Sequence, residues 1–106
     1  MITITPATAE RIAYICNGLR DRGRPAPAPE QITPEVLQAM ATAHAEYLRR
    51  YSSTIPQGDG HDEEWAKVYE AEEIARKNPE QVIWNIAPAT LPDWYDDALE
   101  LMQRNK

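Results

Sequence analysis

A chain of 106 residues with 42% apolar and 26% charged side chains has the composition of one globular domain able to bury a core without staples. Its single cysteine excludes an internal disulfide, and the net charge of −6 argues against a duplex-binding domain, which needs basic surface to meet phosphates. The sequence shows no signal peptide and no apolar run near the length of a membrane span, so a cytoplasmic, membrane-free protein is expected. Phenylalanine is absent; three tryptophans and five tyrosines supply the aromatic volume, and each brings a polar atom that wants a partner when buried.

The charge is unevenly spread along the chain. Residues 1–30 carry four bases and three acids, residues 31–54 balance, residues 55–78 carry seven acids against three bases, and residues 79–106 five against two. Arginines therefore come early and carboxylates late.

Thr5 and Pro6 open the first predicted helix, 6–20. The threonine hydroxyl is placed to cap a free N–H, and proline at the first helical position loses nothing by lacking its own. Ile12, Ile15, Cys16 and Leu19 fall on one face, and Tyr14 points nearly opposite, towards partial exposure. Cys16 on the apolar face predicts a small buried hydrophobe rather than a reactive thiol. The opening ITPATAERIAYICNGLR resembles the start of an acetyltransferase of the GNAT family, covering under a fifth of the chain. That family needs a long strand followed by a Gly-rich pyrophosphate loop, and neither Gly18, Gly23, Gly58 nor Gly60 has such a context, so the resemblance is set aside. Residues 23–32 form a Pro-rich linker in which Pro25 to Pro29 favours stiff polyproline II, a spacer across the outside of the bundle.

The longest helical pattern, 34–51, repeats the device with Thr33 and Pro34, and adds Glu35 in the first turn and Arg49 and Arg50 in the last. Leu37, Met40, Ala41, Tyr47, Leu48 and Tyr51 gather on its apolar side, with His44 in their midst. A third helix is expected over 61–77, held by the i,i+4 pairs Glu63–Lys67, Glu72–Arg76 and Glu73–Lys77. Its stripe of Trp65, Val68, Tyr69 and Ala75 is interrupted by Glu72. A fourth helix, 79–87, is apolar nearly all round, which places Trp84 at the centre of the core. A fifth, 91–103, turns Leu91, Trp94, Tyr95, Ala98, Leu101 and Met102 inward. The pattern predicts an all-α fold, a compact bundle of about five helices forming a single domain over residues 1–106.

No constellation of a known chemistry emerges. There is no nucleophile elbow, no HExxH and no cysteine pair, and Asp59-Gly-His-Asp62 with Glu63 and Glu64 lacks the spacing of a calcium loop. No catalytic residue, metal or cofactor is therefore assigned. His44 and Glu72 are the two polar residues on apolar faces, and packing of their helices would let them meet, with the carboxylate raising the histidine pKa. That contact is expected to be structural; a small enzyme using the pair is the remote alternative.

Two surfaces remain. Asp62, Glu64, Glu70, Asp96 and Asp97 lack obvious local partners and would form an acidic face for a protein with a basic surface. Arg20, Arg22, Arg24, Arg49 and Arg50, with Tyr14 to stack on bases, would instead bind single-stranded nucleic acid. In size, charge and lack of motif the chain is similar to small orphan proteins carried by phages and mobile elements, including anti-CRISPR inhibitors. The expectation is a non-enzymatic inhibitor that presents carboxylates to a nucleic-acid-handling complex.

Overall fold

Five α-helices and three short 3-10 turns account for 81% of the described residues in the computed structural model, which describes residues 4–54 and 60–104. The helices are α1 (Pro6–Asp21), α2 (Pro34–Ser52), α3 (Asp62–Lys77), α4 (Val82–Asn85) and α5 (Leu91–Arg104). No strand occurs among the described residues, and the fold is an all-α bundle.

Local chemistry sets the starts of α1 and α2 and the end of α1. The hydroxyls of Thr5 and Thr33 accept from the backbone N–H of Thr8 and Val36, each at 3.3 Å, and a proline follows each cap. Helix α1 ends in a Schellman motif: Arg24 N–H bonds to the Leu19 carbonyl and Gly23 N–H to that of Arg20, both at 2.9 Å. Gly23 supplies the left-handed φ of 71° that this ending requires.

The predicted fourth helix is shorter than its apolar pattern. Pro79–Gln81 forms a 3-10 turn, α4 spans one turn, and Ile86 and Ala87 are extended before a second 3-10 turn at Pro88–Thr90. Ala87 precedes a proline, whose ring disfavours the helical conformation in the residue before it, so the chain leaves the helix early.

The core gathers around α2. Leu37 and Met40 are fully enclosed, with Ile12, Ile15, Cys16 and Leu19 from α1, Val82, Ile83 and Ile86 from the α4 region, and Leu91, Ala98 and Leu101 from α5. Cys16 is buried as the periodicity predicts, and that burial pushes its thiol pKa up against the opposing pull of Arg20. The Pro-rich linker is not a free spacer. Pro27 is buried, Ala26 packs on the core, and the Gln31 side chain accepts from Ala28 N–H at 2.7 Å to fix a 3-10 turn before buried Ile32.

Four aromatic expectations are corrected. Trp84 is 44% exposed, and Ile83 takes the central position. Tyr47 and Tyr51 on α2 and Tyr69 on α3 are each more than half exposed, because the neighbouring helices cover less of α2 and α3 than the stripes imply. Only Val68 and Ala71 of α3 are fully buried, so this helix rests on α2 by a narrow strip.

Candidate functional site

Helices α3 and α5 both pack on α2. Gln38, near the start of α2, donates from its side chain to the Ala75 carbonyl of α3 at 2.8 Å, and Arg49 near its end grips Glu72. The fold therefore brings together the charged outer faces of three helices.

The expected His44–Glu72 contact does not form. One guanidinium nitrogen of Arg49 reaches both Glu72 oxygens, at 2.6 and 2.5 Å, so the misplaced carboxylate is satisfied by a cation. The pairing raises the Arg49 pKa. Glu72 is thus not available to Arg76, which pairs with Glu73 instead, and Lys77 joins Glu73 at 3.1 Å as its i,i+4 spacing predicts. These cations hold the Glu73 carboxyl below its ordinary range, Lys77 contributing most.

His44 sits edge-on to Trp94 of α5, with ring centroids 4.9 Å apart, and Tyr47 approaches the same indole at 5.8 Å. Its other side borders a cleft of about 470 Å³ between α2 and α3, which also holds Lys67, Glu70, Ile74 and Trp84. Burial pushes the imidazole below its usual 6.5, opposite to the direction a Glu72 contact would give. Below pH 6.5 the unfolded chain takes up a proton that the folded chain resists, so stability is complete above that pH and declines as pH falls, levelling off below the folded pKa. With Lys67 and Glu70 unchanged, His44→Leu is expected to show a smaller loss of melting temperature between pH 7 and pH 5 than the parent chain. Parallel curves for the two proteins would contradict this.

The acidic candidates divide between two helices. Asp62 and Glu70 on α3 and Asp96 and Asp97 on α5 are exposed, and none has a cationic nitrogen within 4 Å among the described residues. Glu64 stands apart: it is half-buried, and one carboxylate oxygen is shielded from solvent without a hydrogen-bond partner. Over its length α3 carries six acids against three bases and α5 four against one, whereas α1 and α2 balance. The excess negative charge of the described chain is thus largely carried by the two helices flanking α2.

The basic candidates separate as well. Arg20, Arg22 and Arg24 lie exposed at the end of α1, without an ion pair among the described residues, and Tyr14 is 72% exposed. Arg49 and Arg50 belong to a different group, with Arg49 on Glu72 and Arg50 at 3.8 Å from Glu46. They border a cleft of about 530 Å³ together with Arg76 and Arg104, two residues the sequence reading assigned to no surface. Their position in the last turn of α3 and α5 is the signal that would have grouped them with Arg49 and Arg50.

Among the described residues no group of three or more histidine, cysteine or carboxylate side chains is arranged to hold a metal; Asp59, part of the predicted acidic loop, lies outside them. No helix among them is long and apolar enough to cross a membrane. Comparison of the chain with protein-family models, with curated proteins and with solved structures gives no match.

Proposed function

We propose that this chain is a non-catalytic docking protein whose acidic helices α3 and α5 engage a basic surface on a protein partner. The observation that carries the reading is an asymmetry of pairing. Arg49 of α2 and Arg76 and Lys77 of α3 are engaged within the chain, by Glu72 and Glu73, while Asp62, Glu70, Asp96 and Asp97 face solvent with no cation within 4 Å among the described residues. Carboxylates left free on two helices that each pack on α2 meet a basic partner without first breaking an internal pair, and long-range attraction speeds the encounter. Nucleic-acid-handling complexes hold their substrates in positively charged channels, so an inhibitor of such a complex, of the kind phages and mobile elements carry against CRISPR systems, is the role this surface fits.

The test compares the parent chain with a variant carrying Asp62→Asn, Glu70→Gln, Asp96→Asn and Asp97→Asn. These are exposed positions, each expected to change stability by no more than about 0.5 kcal/mol. The parent is expected to retain a basic protein from host lysate at low salt and release it at high salt, and the variant to retain none of it. Equal retention by both proteins contradicts the proposal. Tight binding of a labelled single-stranded oligonucleotide, lost on changing Arg20, Arg22 and Arg24 to Gln, would establish the reading in which the arginines of α1 are the functional surface.

A further inference from the structure

The cleft of about 470 Å³ beside His44 has an apolar depth and a polar mouth, and its volume lies within the range of small-molecule sites. Ala71 is buried and Leu48 and Ile74 are half-buried, whereas Lys67, Glu70 and Asn85 are exposed. Trp84 forms an aromatic wall. Its indole is fixed from the α1 side, by donation to the Thr8 hydroxyl and by the Arg11 guanidinium over its ring, yet it remains 44% exposed where it borders the cleft. A tryptophan held in place and still half open to solvent is a surface on which a second flat ring can stack without further ordering.

The charges around the cleft balance. Lys67 and Glu70 line it, one of each sign. Burial keeps His44 below its usual pKa, so at neutral pH the imidazole adds hydrogen-bonding capacity and no charge. Arg11 over Trp84 and Glu63, four residues before Lys67, again contribute one of each sign, and Lys77, seven residues beyond Glu70, is paired with Glu73. Lys67 and Glu70 nevertheless do not pair with each other. Lysine precedes glutamate on the helix, the less favourable order for an ion pair, and neither of them has an opposite charge within 4 Å among the described residues. The Glu63–Lys67 pair that the spacing favours does not close either. His44 and Asn85 likewise make no side-chain hydrogen bond among the described residues, so every polar group lining the cleft is free to meet a ligand.

These features select among ligands. An anion at Lys67 would face Glu70 and Glu63, and a cation at Glu70 would face Lys67. A purely apolar molecule would leave both charges unused. A molecule with one charge of each sign on neighbouring atoms meets both, because side chains three residues apart on a helix start about 5–6 Å from each other. We propose that this cleft binds a free aromatic amino acid, its ring against Trp84 and between Leu48 and Ile74, its carboxylate at Lys67 and its ammonium group at Glu70. Glu70 is the one residue shared with the acidic docking surface. Amino-acid binding does not depend on Asp62, Asp96 or Asp97, so the two readings fail separately.

L-phenylalanine is the probe, titrated into the full chain at constant ionic strength and followed by amide and indole N–H chemical shifts. Three compounds each lack one of its parts: 2-phenylethylamine the carboxylate, 3-phenylpropionate the ammonium group and L-alanine the ring. Saturable binding of L-phenylalanine is expected, at least fivefold tighter than that of any of the three, with shifts centred on Leu48, residues 67–74 and the Trp84 indole. Lys67→Gln is expected to weaken L-phenylalanine at least fivefold and leave 2-phenylethylamine unchanged. Glu70→Gln should weaken L-phenylalanine likewise and leave 3-phenylpropionate unchanged. Arg20→Gln, on α1, should bind as the parent does. The proposal is overturned if L-phenylalanine does not saturate, if its shifts centre elsewhere, or if it binds no better than the three partial compounds. Equal weakening of all the aromatic probes by Lys67→Gln and Glu70→Gln also overturns it, since the two side chains would then shape the cleft without recognising the charged groups.

Discussion

Replacing Leu37 with alanine is expected to destabilise the protein by about 2–5 kcal/mol, the range for truncating a leucine in a close-packed interior. Leu37 has no exposed surface and lies on α2, the helix against which α3, α5 and the α4 region all pack. Its removal takes away the transfer energy of the lost methyl groups and leaves a cavity on the helix that most of the other elements pack against. For a domain of this size the melting temperature should drop by more than about 10 °C. Leu37→Met, which conserves volume, should cost less than about 1.5 kcal/mol. Thermal and urea unfolding of the two variants provide the measurement, and an alanine variant as stable as the methionine one would contradict the placement of this side chain.

The second large effect belongs to Trp84, although it is not at the centre of the core. Its indole N–H donates to the Thr8 hydroxyl at 3.2 Å, and the Arg11 guanidinium lies over its ring at 5.4 Å from the centroid. Thr8 is itself buried and takes part in the Thr5 cap, so the tryptophan locks the start of α1 to a segment 76 residues later. The Thr5 N–H, bonded to a Glu80 oxygen at 3.1 Å, reinforces the same junction. Trp84→Ala is expected to cost about 2 kcal/mol, roughly half of the cost for a fully buried tryptophan, because nearly half of the ring already faces water. Trp84→Phe keeps the ring and removes the donor, which should cost about 1 kcal/mol. Loss of hydrogen-exchange protection in the first turns of α1, ahead of the rest of the chain, would mark the junction in the alanine variant. Uniform loss across all helices would contradict it.

Helix positions were legible in the sequence because their signals are local. Thr5-Pro6 and Thr33-Pro34 place a cap and a preset φ next to each other, and Gly23 provides the left-handed ending, so these boundaries needed no knowledge of the rest of the chain. Depth of burial was less legible. Periodicity puts Tyr47, Tyr51 and Tyr69 on apolar stripes, but how much of a stripe is covered depends on where the neighbouring helix lies. The partner of a polar residue on such a stripe is likewise a matter of register. His44 and Glu72 lie on helices that do pack together, yet each finds a different neighbour, Trp94 for the imidazole and Arg49 for the carboxylate. The same register draws Arg49 and Arg50 away from the arginines of α1 and groups them with Arg76 and Arg104. A single basic surface read along the chain thus becomes two.

The acidic candidates were legible as unpaired charges, since absence of a local i,i+4 partner is visible in the sequence, and no cation from another helix approaches them within 4 Å among the described residues. Glu64 departs from this because its position on α3 turns it inward, with one oxygen enclosed. The acidic surface of the account therefore comprises Asp62 and Glu70 on α3 with Asp96 and Asp97 on α5.

Zero-length carbodiimide coupling of the chain to the basic protein it retains tests that surface most directly, because it joins only carboxylates and amines already in contact. Peptides carrying Asp62, Glu70, Asp96 or Asp97 are expected to be joined to lysines of the partner. Coupling confined to Lys67 and Lys77 of this chain, through carboxylates of the partner, would contradict it.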